Sequence, residues 1–215
     1  RWEGETLLVD TVGILGGGGG KVMTMTVKGA TTAIQVDAGT LKGGCGATIS
    51  IQNATTGMAI QGTVQGPGNN WTKLSISDVS TGIKLVGGSL TNSYSTSSIT
   101  IVRADQGIVV DGGSLTWGGV SVSDIKDTGI LCRSENQATV LSRISSFNVT
   151  VQRAAQYDSF AGTGCVLSQW SSISALNLVL GETKCAGSDR FGLYMEGDAK
   201  VSGVKFTINC MNQDG

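Results

Sequence analysis

The residues best suited to chemistry in this chain sit in two short stretches, Gln152 to Thr163 (QRAAQYDSFAGT) and Gly181 to Phe191 (GETKCAGSDRF). Together they carry Tyr157, Asp158, Phe160, Glu182, Asp189 and Arg190, with Glu196 close behind. Paired carboxylates suit cleavage of a glycosidic bond, which needs two acids held about 5 to 10 Å apart. One of the pair must stay protonated near neutral pH, through burial or a like-charged neighbour. Glu182 with Asp158 or Asp189 is the pairing on offer, so Asp158, Glu182 and Asp189 are the catalytic candidates. Tyr157 and Arg190 are substrate-binding candidates: a ring supplies stacking area and a guanidinium fixes orientation. Solvated loops without a ligand are the alternative for the same residues.

Other chemistries are poorly served. The chain has no histidine, which removes Ser-His-Asp and Cys-His arrangements from these 215 residues. Its five cysteines, Cys45, Cys132, Cys165, Cys185 and Cys210, show no CxxC spacing, so neither a zinc site nor a cofactor is expected. Small buried thiols in a core are the simpler account, and they suit assembly in a reducing cytosol. A net charge of −1 gives no electrostatic case for nucleic acid or an anionic membrane. No apolar run approaches the roughly 20 residues of a membrane span.

The elements that position the two stretches are written as a repeat. Leu74 to Thr91 (LSISDVSTGIKLVGGSLT) and Ile99 to Thr116 (ITIVRADQGIVVDGGSLT) start 25 residues apart and are identical at eight of 18 positions. A period of this size marks a solenoid. Each copy holds three bursts of alternation, such as Ile99-Thr100-Ile101, Ile108-Val109-Val110 and Ser114-Leu115-Thr116, which read as strands with one buried face. Glycines between the bursts, in Asp105-Gln106-Gly107 and Asp111-Gly112-Gly113, supply the positive dihedrals of tight corners. Three strands and three corners make one coil of a right-handed parallel β-helix. Glycine at 33 residues, one proline and 14% charge agree with an all-β chain of many corners.

The apolar residue after the corner glycine tracks the register: Ile34, Met58, Ile83, Ile108, Ile130, Cys165 and Leu193, in steps of 24, 25, 25, 22, 35 and 28. About seven coils follow. Met25, Ile49, Leu74, Ile99 and Val120 mark the first strand, and Leu41, Val64, Leu90 and Leu115 the third. We expect one domain over residues 1–215, with an imperfect first coil and a Gly-rich corner in 1–22 and regular coils over 23–211, as a fragment of a longer chain. The two chemistry-bearing stretches lengthen the connection between first and second strands in adjacent coils, and should emerge side by side.

Residues between the inward positions face out. On the first strand these are Thr26, Ser50, Ser75, Thr100, Ser121 and Thr150, a hydroxyl stripe. On the second they are Gln35, Ala59, Lys84, Val109, Leu131, Val166 and Tyr194, apolar from Val109 onward. A strip of that kind calls for a covering loop or a partner subunit, and a homotrimer is the expectation. Asn53, Asp78, Arg103, Asp124 and Arg153 share one offset and should stack as a charge ladder, with Asp111 and Arg133 as a second pair.

The GI-x-V units Gly82-Ile83-Lys84-Leu85 and Gly107-Ile108-Val109-Val110, with their GGSLT corners, resemble the parallel β-helix of the pectin-lyase-like superfamily, most closely bacteriophage tailspikes and tail fibres. The resemblance covers about Met23 to Met211, and the histidine-containing and NTD-like signatures of pectate lyases and polygalacturonases are missing. It implies a trimeric appendage on the virion surface, assembled in the host cytoplasm, that binds bacterial surface polysaccharide, with or without depolymerase activity. A structural shaft or spike, and a secreted polysaccharide lyase or hydrolase, are the alternatives.

Overall fold

The computed structural model describes residues 7–9, 12–15, 23–43, 47–65, 71–92, 94–134, 141–154, 163–168, 170–184 and 193–211. Every strand pairing among them is parallel and joins a residue to its counterpart one coil along the chain. The fold is the expected all-β parallel solenoid, with a number of coils close to the seven read from the sequence.

Three interior columns hold it together. Ile34, Met58, Ile83, Ile108, Ile130, Cys165 and Leu193 are register partners in succession, and the first five are fully buried. The column of the first arm runs Met25, Ile49, Leu74, Ile99, Val120, Val149 and Leu178. That of the third arm runs Leu41, Val64, Leu90, Leu115, Ile144 and Ile173. Alternation places every second residue of each arm inward, and each buried aliphatic contributes about 1.5 to 3 kcal/mol of transfer free energy. At the C-terminal coil the inward positions Phe206 and Ile208 are 46% and 48% exposed, because no described strand stacks beyond them.

The corners work differently from expectation at one point. Gly82 and Gly107 do not supply positive dihedrals. They are needed because the coils approach too closely for a side chain: a Cβ at Gly107 would lie 2.3 Å from the Gly129 carbonyl oxygen and 2.4 Å from Val122. The left-handed residue of this corner lies earlier, at Asn53, Asp78, Arg103, Asp124 and Arg153, with φ of 54°, 57°, 56°, 56° and 48°. A single left-handed residue bends the chain with little loss of pairing, so Ser98–Asp111 and Ser114–Arg133 each run as one strand around the bend. At the next corner the expectation holds, with Gly87 and Gly112 at φ 70° and 65°.

The expected charge ladder resolves into two closed pairs. Arg103 grips Asp78 with Nε and a terminal nitrogen at 2.6 and 2.8 Å, and Arg153 grips Asp124 in the same way. Arg133 meets Asp111 at 3.3 Å, also as expected. The hydroxyl stripe from Thr26 to Thr150 is a continuous column. The apolar outward strip is narrower than expected: Val109 is only 5% exposed between its register partners Lys84 and Leu131, whereas Tyr194 is 38% exposed.

The 35-residue step from Ile130 to Cys165 divides between two insertions rather than falling at one. Fourteen residues separate Ile130 from its third-arm successor Ile144, against seven between Ile108 and Leu115. An extra segment therefore enters at the second-to-third corner, ending at Leu141. The connection after Ala154 lengthens the same coil again.

Candidate functional site

The third arms of the last coils lie side by side as residues 114–117, 142–146, 171–175 and 200–203. Their outward face is hollowed. One groove of about 460 Å³ is lined by Leu141, Arg143, Ser145, Trp170, Ser172, Ser174, Asp198 and Lys200, among others. A second, of about 360 Å³, is lined by Thr116, Ser145, Ser146, Phe147, Ser174, Leu176 and Gly203, among others. The two share Ser145 and Ser174, so they join end to end along the arm. From Leu141 to Phe147 the trough spans roughly 20 Å at the rise of a β-strand. Apolar side chains stand at both ends, with Leu141, Trp170, Phe147 and Leu176 each between 41% and 49% exposed. Hydroxyls and cations fill the middle.

Trp170 is held in an uncommon conformation. Its φ is 59°, in the left-handed region that a bulky residue rarely enters. Neighbouring coils fix it from both sides: its N–H donates to Asp198 Oδ1 at 2.8 Å, and its carbonyl accepts from the Ser142 N–H at 3.2 Å. The hydroxyl of the next residue, Ser171, donates to the Ser168 carbonyl and closes the turn. Such strain costs on the order of 1 to 3 kcal/mol and persists where the surroundings over-determine it, which is common at ligand clamps. The outcome is an indole exposed at the edge of the trough on a backbone tied to three coils.

Charge is placed unevenly around this face. Arg103, Arg133 and Arg153 each have a carboxylate partner, and Lys126 meets Asp105 at 3.8 Å. Arg143 is the one arginine among the described residues that has none; Lys200 across the trough is also without an ion pair among them, as are Lys28, Lys42, Lys73, Lys84 and Lys205. Asp198 is the sole carboxylate among the described residues of the lining, and its Oδ1 accepts the Trp170 N–H.

Tyr157, Asp158, Asp189 and Arg190 fall outside the described residues, as does Phe160. Glu182 belongs to the strand Ser171–Lys184, so the second chemistry-bearing connection starts later than the sequence suggested. Gly181 pairs with Gln152, which puts Glu182 at the coil position held by Arg153 one turn earlier. Glu196 is exposed and accepts from Tyr194 Oη at 3.3 Å.

The described residues hold no cluster of His, Cys, Asp and Glu suited to a metal ion, and no helix long and apolar enough to cross a membrane. Cys132 and Cys165 are buried free thiols in adjacent coils. Burial pushes the Cys132 thiol up to about 12, and burial with the neighbouring Cys132 sulfur raises Cys165 further. Both are inert core groups rather than nucleophiles. No family model, curated protein or solved structure matches the chain.

Proposed function

We propose that this solenoid is the receptor-binding part of a bacteriophage tail appendage, displayed on the virion surface, and that it recognises bacterial surface polysaccharide along its third-arm trough. The observation that carries the proposal is Trp170, an exposed indole fixed at positive φ over a trough of serine hydroxyls. A flat ring beside a row of hydroxyls suits a sugar chain, because the ring covers an apolar sugar face while the hydroxyls exchange hydrogen bonds with its rim. An open, elongated trough also suits a polymer better than a small ligand that must be enclosed.

The trough binds rather than cuts. Glycosidic cleavage needs two carboxylates, and among the described residues the lining has Asp198 alone. Any cleavage belongs to Asp158, Glu182 and Asp189, with Tyr157 and Arg190 holding substrate. The apolar second-arm strip around Leu131, Val166 and Tyr194 serves as the contact between three copies.

Binding to immobilised surface polysaccharides from a panel of bacteria, compared between the native chain and Trp170→Ala, tests the proposal. One or more polysaccharides should bind, with affinity falling about ten-fold or more in the variant, as expected for loss of an aromatic stacking platform. Binding by none of the panel, or equal binding by Trp170→Ala, overturns it.

A further inference from the structure

The register of the third arm sets Arg143, Ser172 and Lys200 abreast, on three successive coils. All three line the trough, and the two cations are exposed while Ser172 between them is half-buried. Their backbones stand about 10 Å apart, two strand spacings, so both side chains are long enough to meet over Ser172. We infer that Arg143, Ser172 and Lys200 form an anion subsite, so that the saccharide taken by this trough carries an acidic group on its sugar rings. The inference rests on the polysaccharide reading above and narrows it to a chemical class.

Three features of the surface support a subsite rather than two stray charges. The described arginines outside the trough are each closed by a carboxylate, and the one left without is the one in the trough. A guanidinium offers a planar fork suited to a carboxylate or a sulfate ester, the ammonium opposite adds a point charge, and the Ser172 hydroxyl donates from below. Asp198, the one carboxylate among the described lining residues, lies two residues before Lys200, level with Trp170, and its Oδ1 accepts the Trp170 N–H. An indole in the turn before the strand Ser171–Lys184 and an oxyanion cradle at Ser172, two residues on, can address one sugar unit together, the ring on its face and the cations on its acidic substituent.

The experiment uses the full chain and follows the fluorescence of Trp170, identified by its loss in Trp170→Phe. The probes are D-glucuronate, glucose 6-sulfate and D-glucose, with sodium acetate and sodium sulfate as free anions. Glucuronate or glucose 6-sulfate should perturb Trp170 with an affinity about ten-fold or more above that of glucose, the scale of one charge-assisted contact. A response to glucuronate alone assigns a carboxylate, and one to the sulfate alone assigns a sulfate ester. The preference should shrink between about 20 and about 300 mM NaCl and vanish in Arg143→Gln/Lys200→Gln, whose melting temperature should match the native chain because both side chains are exposed. Glucose binding as tightly as the acidic sugars, or a double variant that keeps the preference, overturns the anion subsite and leaves the polysaccharide reading standing. Free acetate or sulfate binding as tightly as the acidic sugars also overturns it, by showing an adventitious ion only. If no sugar or anion perturbs Trp170, and the panel of whole polysaccharides fails as well, both readings fall together.

Discussion

At the scale of single residues, the bend between first and second arms shows how a local cost is offset. Asn and Asp tolerate the left-handed region because their short side chains bond locally, and arginine has no such excuse. Arg103 and Arg153 stand there opposite an aspartate one coil back, each closed by two hydrogen bonds. The paired guanidinium holds Asp124 below its ordinary carboxylate value of 3.8, chiefly by hydrogen bonding from Arg153, and Arg103 does the same for Asp78. A folded-state pKa below the unfolded one contributes stability that is complete above the unfolded value and disappears as pH falls through the folded value. The melting temperature should therefore begin to fall as pH drops below about 3.8. Asp124→Asn should lie slightly below the native chain at pH 6, by an amount worth about 0.2 to 1 kcal/mol, and the difference should shrink as pH falls below the ordinary carboxylate value. Thermal melts across that range check both statements. Arg103→Ala, at an exposed ion pair, should barely move the melting temperature. The ladder was legible because its members share one offset from the strand start. Their left-handed backbone was not, since nothing in an arginine's identity announces a positive φ, and the glycine four residues later drew the assignment to itself.

At the scale of the element, the coil is specified twice, once by what must fill it and once by what must be absent. Ile108 fills the marker column and is fully buried, whereas Gly107 beside it leaves the Gly129 carbonyl the room it occupies. Ile108→Ala should cost about 2 to 5 kcal/mol through lost burial and a cavity. Gly107→Ala adds a methyl where backbone must move, and should cost roughly 1 to 3 kcal/mol by overpacking. Chemical denaturation of both variants measures these losses, and an unchanged midpoint for Gly107→Ala would refute the close-approach account. The inward columns were readable because strand alternation and a near-constant step leave one register that buries the aliphatics. The trough was not. Its column Arg143, Ser172 and Lys200 continues from Ser114, the outward neighbour of Leu115, but the third arm could be followed in sequence only to Leu115. The segment inserted before Leu141 breaks the count there, so the sequence alone places the whole of the long step in Gln152 to Thr163. Trp170, in a turn beyond the countable register, had no periodic signal at all.

At the scale of the whole molecule, a solenoid is close to one-dimensional: each coil answers mainly to its neighbours, and an outward face is a row of equivalent slots that can be dressed separately. The first arm spends its row on hydroxyls, the third on the trough, and the second on Leu131, Val166 and Tyr194. Those three are register partners in successive coils, so they form one strip parallel to the long axis. The same strip contains Val109, already 5% exposed in a single copy, which leaves the contact to the C-terminal half, where Tyr194 and Met195 are 38% and 42% exposed. A threefold arrangement would put one such strip from each copy on the axis and leave the third-arm troughs on the outer surface, open to a long polymer. Sedimentation equilibrium should give three copies, and Val166→Asp, which sets like charges against one another at the axis, should give one copy with an unchanged far-ultraviolet spectrum. A native chain that sediments as a monomer at micromolar concentration removes the strip as an interface. Cleavage is proposed for acids of the sequence stretches 152–163 and 181–191, which are separate in the chain from the residues of the strip and the trough. Asp158→Asn and Glu182→Gln should therefore leave polysaccharide binding and the trimer intact while abolishing any release of oligosaccharide. If both amide variants release oligosaccharide at the native rate, those connections are surface and the cutting groups lie elsewhere.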